Sequence, residues 1–142
     1  MIVYADSSVL VKRFVREVGS ENVRDLLGHG REIATSALAR VEIRSAVARQ
    51  VREGLLDAGG AARVLDRVTR FLATVVVVEP RGRVLDLAGE LVGRRPLRAY
   101  DAVHLASALR LANESQATVV FACADVALLA AASAEGLRTL PA

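Results

Sequence analysis

Apolar residues come in two textures along this chain: short unbroken runs, and longer stretches where they recur every three or four positions. Ile2-Val3-Tyr4-Ala5 is a run of the first kind that empties into Asp6-Ser7-Ser8, which predicts a buried parallel strand followed by a helix N-terminus. Val9, Leu10, Phe14 and Val18 then recur at helical spacing, with Ser7 or Ser8 placed to cap the helix. Gly19-Ser20 breaks that helix, and a second short one is expected from Ser20 through Leu27, ended by Gly28-His29-Gly30. Glu32 to Thr35 predicts a second strand. A helix from Ser36 or Ala37 to about Arg52 and a hairpin partner from about Asp57 to Ala73 follow. Val75 to Val78 predicts a third strand, closed by Glu79-Pro80, and Gly82 to Gly93 another helix. A basic loop, Arg94-Arg95-Pro96, leads into a small, apolar helix that includes Arg98 to Leu109. Thr118 to Phe121 predicts a strand, Asp125 to Glu135 a helix, and Leu137 to Leu140 a last, edge strand.

Strands alternating with helices point to an α/β fold, a three-layer α/β/α sandwich with a mostly parallel central sheet. No repeat or linker divides the chain, so residues 1–142 are expected to form one domain. With three Phe, two Tyr and no Trp, its core must be built from Val, Leu, Ile and Ala. The longest apolar segment, Phe71 to Val78, falls far short of the ~20 residues that span a bilayer. Met1 to Asp6 lacks the features of a signal peptide, and the single cysteine, Cys123, excludes an internal disulfide. A cytoplasmic protein without membrane association is the expectation.

Formal net charge is only +3, and the basic side is arginine apart from Lys12. Solvated helix faces laced with Glu–Arg pairs account for most of these residues. The planar arginine fork also suits phosphate, so a preference for an anionic partner stays open.

The helix after Arg98 changes the picture. Among its small apolar residues stands Asp101, and a desolvated carboxylate is costly unless it is paired, hydrogen-bonded or bound to a metal. Sites in parallel α/β sheets form beyond the carboxyl ends of the strands. Asp6 follows the first strand directly, and Asp125 lies four residues past Phe121. Glu42 is inside a helix, with Leu38, Ser45 and Ala46 as its neighbours a turn away. Taken singly, Asp6, Asp101 and Asp125 read as helix caps, Asp101 alternatively as a partner of Arg98, and Glu42 as a surface residue or a partner of Arg40, Arg44 or Arg49. Together they are harder to explain as four accidents. Four carboxylates at one sheet edge would raise one another's pKa values unless a cation were bound. All-oxygen ligation fits Mg²⁺ or Mn²⁺ rather than zinc. The chemistry implied is phosphodiester or phosphoryl transfer, with a water activated by the cation.

The same residues resemble a family. Val-Tyr-Ala-Asp-Ser-Ser at 3 to 8, Thr-Ser-Ala-Leu-Ala-Arg-Val-Glu-Ile-Arg at 35 to 44, Tyr-Asp-Ala-Val-His-Leu-Ala-Ser-Ala-Leu at 100 to 109 and Ala-Asp-Val-Ala-Leu-Leu-Ala-Ala-Ala at 124 to 132 are similar to PIN domains. The likeness is closest to the VapC-type ribonuclease toxins of toxin–antitoxin pairs, and it covers essentially the whole chain. It implies an endoribonuclease that cuts RNA with Mg²⁺ or Mn²⁺. Asp6, Glu42, Asp101 and Asp125 match the family's metal-binding acids, with Asp125 supporting a metal or the attacking water. Ser8 matches the small hydroxyl residue after the first acid and is expected to support the site by hydrogen bonding. With Lys12 and Arg98 it forms the expected substrate-binding set. A homodimer and a cognate antitoxin whose tail enters or covers the site are implied as partners.

One position departs from the pattern. Cys123 stands where relatives carry Thr or Ser, and a thiol is a weaker hydrogen-bond partner. It is read as a small buried residue, not a nucleophile. His104, one turn from Asp101, is read as scaffold, and His29 as solvated. With few aromatics a base-stacking platform is not expected, so phosphate contacts fall to Arg94, Arg95, Arg98, Lys12, Arg13 and Arg16. Two other readings stay in view. One is a catalytically silent PIN-like binding module. The other is an aspartyl-phosphate receiver or phosphatase-like domain, against which stand the single lysine at Lys12 and Ser8 in place of a second acid.

Overall fold

The computed structural model describes residues 1–28 and 30–142; His29 lies outside the described residues, so the expectation that it is solvated does too. The elements are β1 (Ile2–Ala5), α1 (Ser7–Phe14), α2 (Ser20–Leu26), β2 (Glu32–Ser36), α3 (Ala39–Arg52), α4 (Ala58–Leu72), β3 (Val76–Val78), α5 (Arg83–Arg94), α6 (Ala99–Ser115), β4 (Val119–Cys123), α7 (Val126–Ala134) and β5 (Arg138–Pro141). Five strands form one sheet in the order β3-β2-β1-β4-β5, and every pairing is parallel. The first strand made is the central one. Val3 pairs with Ile33 on one side and Val120 on the other, which is why β1 is apolar and buried throughout.

Side chains alternate across β1 and divide the core in two. Ile2 and Tyr4 join the cluster built with α5, α6 and α7, where the Tyr4 ring stacks on Phe121 at 5.6 Å. Val3 and Ala5 join the cluster built with α1 to α4, around Leu10, Ile43 and Val47. Fully burying one such side chain stabilises the fold by about 1.5–3 kcal/mol. Helices thus cover both faces, and the α/β/α sandwich expected from the alternation is the fold observed. Among the described residues no helix is long and apolar enough to cross a membrane.

Three boundaries differ from the pattern. The first helix ends at Phe14, not Val18, and Val18 is 95% exposed. The Ser20 hydroxyl accepts from the Glu17 amide at 2.9 Å and donates to the Val15 carbonyl, and Gly19 adopts φ +91°. That turn overrides the helical spacing of Val18, since a left-handed residue is unfavourable to anything but glycine. The cap of α1 is Asp6, whose Oδ1 accepts from the Val9 amide at 3.1 Å, so Ser7 and Ser8 lie inside the helix. Finally, β2 runs on to Ser36, paired with Val78, and α3 starts only at Ala39. The Ser36 hydroxyl accepts from the Leu38 amide across the intervening turn.

Candidate active site

Because the sheet is parallel, the C-terminal ends of β1, β2 and β4 lie side by side along one edge. Asp6 directly follows β1 and Asp125 follows β4 as the cap of α7. Glu42 sits in the first turn of α3, the helix after β2. Asp101 is in the first turn of α6, which buries Ala102 and His104 to Ala108 against the sheet. These small residues allow the close approach that brings Asp101 to the same edge.

Asp6 is buried and tightly held. Its Oδ1 takes hydrogen bonds from the Val9 amide and from Ser8 Oγ at 2.5 Å, and Ser8 Oγ accepts from the Ala124 amide at 3.2 Å. Ser8 therefore ties the end of β1 to the end of β4. Cys123 does similar work beside it: its sulfur accepts from the Asp125 amide at 3.1 Å. Burial, with the charge of Asp6 adding to it, pushes the thiol far above its ordinary value, so it stays protonated.

Glu42 is held by a different set. Ser7 Oγ donates to its Oε1 at 2.7 Å, and His104 Nε2 lies 2.8 Å from the same oxygen. His104 Nδ1 in turn lies 3.0 Å from the Tyr4 hydroxyl, and both residues are buried. Burial pushes the Glu42 carboxyl up, but the bond and electrostatics of His104, with the Ser7 hydroxyl, more than offset it and hold the group below the usual glutamate range. Sequence reasoning placed His104 in the scaffold and gave Tyr4 no polar role. The one available hint was that His104 shares a helix face with Asp101, three residues away.

Asp101 is held loosely, whereas Asp125 Oδ1 accepts from the Leu128 amide at 3.0 Å as the cap of α7. Arg98 Nε lies 3.3 Å from Asp101 Oδ2, and its Nη2 lies 3.9 Å from Asp125 Oδ2. Burial raises the Asp101 carboxyl; Arg98 opposes this, while the charges of Asp125 and Asp6 add to it. Asp101 therefore senses two of the other acids, and Glu42 joins them through Ser7, the residue after Asp6. The other expected substrate contacts sit differently. Lys12 Nζ donates to the Ala142 carbonyl at 3.2 Å. Arg94 and Arg95 both bind Glu135, Arg95 Nη2 at 2.6 Å, and so clamp α5 to α7.

The donor set is all oxygen, carboxylate and hydroxyl, and its mutual repulsion is what a cation would relieve. Among the described residues no three His, Cys, Asp or Glu side chains close into a ready-made cage. Mg²⁺ asks for no cage, since it keeps several waters and binds through one or two carboxylates. The residues present fit such an ion.

Known proteins share this fold. Solved structures that superpose on the chain include VapC20 of Mycobacterium tuberculosis, described as a sarcin-ricin loop cleaving toxin, with TM-score 0.69 and 15% identity over 99% of both chains. A toxin–antitoxin complex from Klebsiella pneumoniae matches with TM-score 0.57 and 14% identity over 83% of both. These establish likeness of fold. In sequence, the ribonuclease VapC46 of Mycobacterium tuberculosis is 43% identical over 109 residues, 77% of this chain and 75% of that protein. The PIN domain model matches residues 3–120. From Val3 at the head of the central strand to Val120 in β4, the sequence and the fold agree: the chain belongs to the PIN domain family, as a VapC-type member.

Proposed function

We propose that this protein is a divalent-metal-dependent endoribonuclease, the toxin of a toxin–antitoxin pair. The observation that carries the reading is the set of acids gathered at the C-terminal edge of β1, β2 and β4, where Asp101 is driven up partly by Asp125 and Asp6. Asp6, Glu42, Asp101 and Asp125 would hold Mg²⁺ or Mn²⁺. Such a cation supplies Lewis acidity, making water a stronger acid and offsetting the charge of a phosphodiester.

The chain's own residues do the positioning. Asp6 is locked by the Val9 amide and Ser8. Glu42 is locked by Ser7 and His104. Arg98 is 84% exposed at the mouth of this edge, free to turn from Asp101 towards an RNA phosphate. The relatives named as ribonucleases support RNA as substrate, and the Klebsiella complex supports an antitoxin as partner. A homodimer in the cytoplasm completes the proposal on the strength of the family resemblance.

The deciding experiment is cleavage of structured RNAs by the wild type and Asp101→Asn, with Mg²⁺, with Mn²⁺ and with EDTA. Cleavage is expected only with metal and only in the wild type. Cleavage in EDTA, or an Asn variant as active as wild type, would overturn the reading.

A further inference from the structure

A fully buried histidine on the small-residue face of α6 needs a reason. His104 is 2% exposed and Tyr4 is 0% exposed, and leucine and phenylalanine would fill their places without polar atoms to satisfy. Yet every polar atom here is used. Tyr4 Oη meets Nδ1 at 3.0 Å, Nε2 meets Glu42 Oε1 at 2.8 Å, and Ser7 Oγ meets Nε2 at 3.1 Å and Glu42 Oε1 at 2.7 Å.

The proton inventory fixes the direction of this chain of bonds. An ionised carboxylate only accepts, so Nε2 carries a proton and gives it to Oε1. The Ser7 hydroxyl has one proton, and it also goes to Oε1. The Tyr4 hydroxyl donates to a bare Nδ1 or accepts from a protonated one, so it holds the ring in either state. Glu42 Oε1 thus receives two donors, while Oε2 has no hydrogen-bond partner among the described residues.

We propose that Tyr4, His104 and Ser7 are positioning residues for Glu42, which occupy Oε1 and fix the carboxylate so that Oε2 alone is offered to a cation. This rests on Glu42 belonging to the metal site proposed above. It gives His104 a function one step removed from the reacting atoms. It also explains why a tyrosine stands in the middle of an all-apolar central strand. Its ring stacks on Phe121 as a phenylalanine would; only the hydroxyl is extra.

The test compares wild type, His104→Leu, His104→Gln and Tyr4→Phe as full chains. Mn²⁺ binding is read by electron paramagnetic resonance, thermal unfolding is read without metal, and the histidine ring nitrogens are read by ¹⁵N NMR. Only two histidines are present, so assignment is direct. His104→Leu is expected to weaken Mn²⁺ binding by about 10–100-fold, the usual effect of losing a group that orients a ligand. His104→Gln restores an N–H near Nε2 and is expected to recover part of that loss. Thermal stability should run the other way, with Leu equal to or above Gln, because a buried amide is harder to satisfy. Tyr4→Phe keeps the ring and serves if the His104 variants do not fold; it is expected to weaken Mn²⁺ binding by up to about 10-fold and to move the Nδ1 resonance.

Mn²⁺ affinity unchanged in the His104→Leu and Tyr4→Phe proteins, or affinities that merely follow thermal stability, would overturn the proposal. If the wild type itself binds no Mn²⁺, the metal reading falls, and the nitrogen spectrum decides the positioning chain alone. A protonated Nε2 with Nδ1 moved by Tyr4→Phe sustains it, and an unprotonated Nε2 ends it.

Discussion

Glu42 and Asp101 each sit in the first turn of a helix at the same sheet edge, with side chains 29% and 23% exposed. Burial pushes both carboxyls up, yet Glu42 ends below its ordinary range and Asp101 above. Exposure does not separate them; their partners do. Glu42 faces a hydroxyl and an imidazole, both buried, and both lower its carboxyl. Asp101 faces one exposed arginine and two like charges. Half of this edge is built rigid and the half around Asp101 is left adjustable, which suits the cation and the phosphate proposed to bind there.

Breaking the rigid half should cost the most. Ser7→Ala removes one of the two donors to Glu42 Oε1 and leaves that oxygen part-buried. The expected loss is about 1.5–3 kcal/mol of folding stability, as for hydrogen bonds to charged groups, read as a shift of the urea midpoint with the slope unchanged.

A third carboxylate sharpens the comparison. Glu135 is also held by arginines, but its side chain is only 12% exposed, and Arg94 and Arg95 hold it well below the usual range. Its contribution is therefore present above the ordinary carboxylate pKa of about 4.3 and lost as pH falls through the lower folded value. Wild type and Glu135→Gln should differ by about 1 kcal/mol near neutral pH and converge in acid, as thermal unfolding against pH would show.

The smallest effect belongs to the adjustable half. Arg98→Ala is expected to leave stability within about 0.5 kcal/mol, because its pairs are exposed. What should change is RNA binding: the slope of log affinity against log salt is expected to fall by about one. An unchanged slope would remove Arg98 from the RNA contacts.

The sequence displays the acids far better than what holds them. Asp6 and Asp125 stand at strand ends, and Asp101 interrupts an apolar helix, so each breaks a local pattern and is visible. The sheet shows through for the same reason, since a strand between two neighbours reads as an unbroken apolar run. Asp6-Ser7-Ser8 is harder, because aspartate and serine both cap helices well; the pattern offers all three residues, and the fold uses the aspartate. Val18 keeps the helical spacing of α1, and nothing local announces that Ser20 will tie the chain back to Val15. The Tyr4–His104 bond spans 100 positions. It is set by strand order, and no periodicity carries that information.

The place of β1 at the centre of the sheet has a consequence in time. Its second neighbour, β4, is not made until the ribosome has passed Cys123. A nascent chain holds Asp6 and Glu42 early, but it has neither Asp125 nor the strand β4 that flanks β1 on its second side. Pairings this distant in sequence close late and slowly. The acidic edge, with Asp125 beside Asp6, is therefore completed only once β4 is made, so the last-formed half of the sheet is what closes the site.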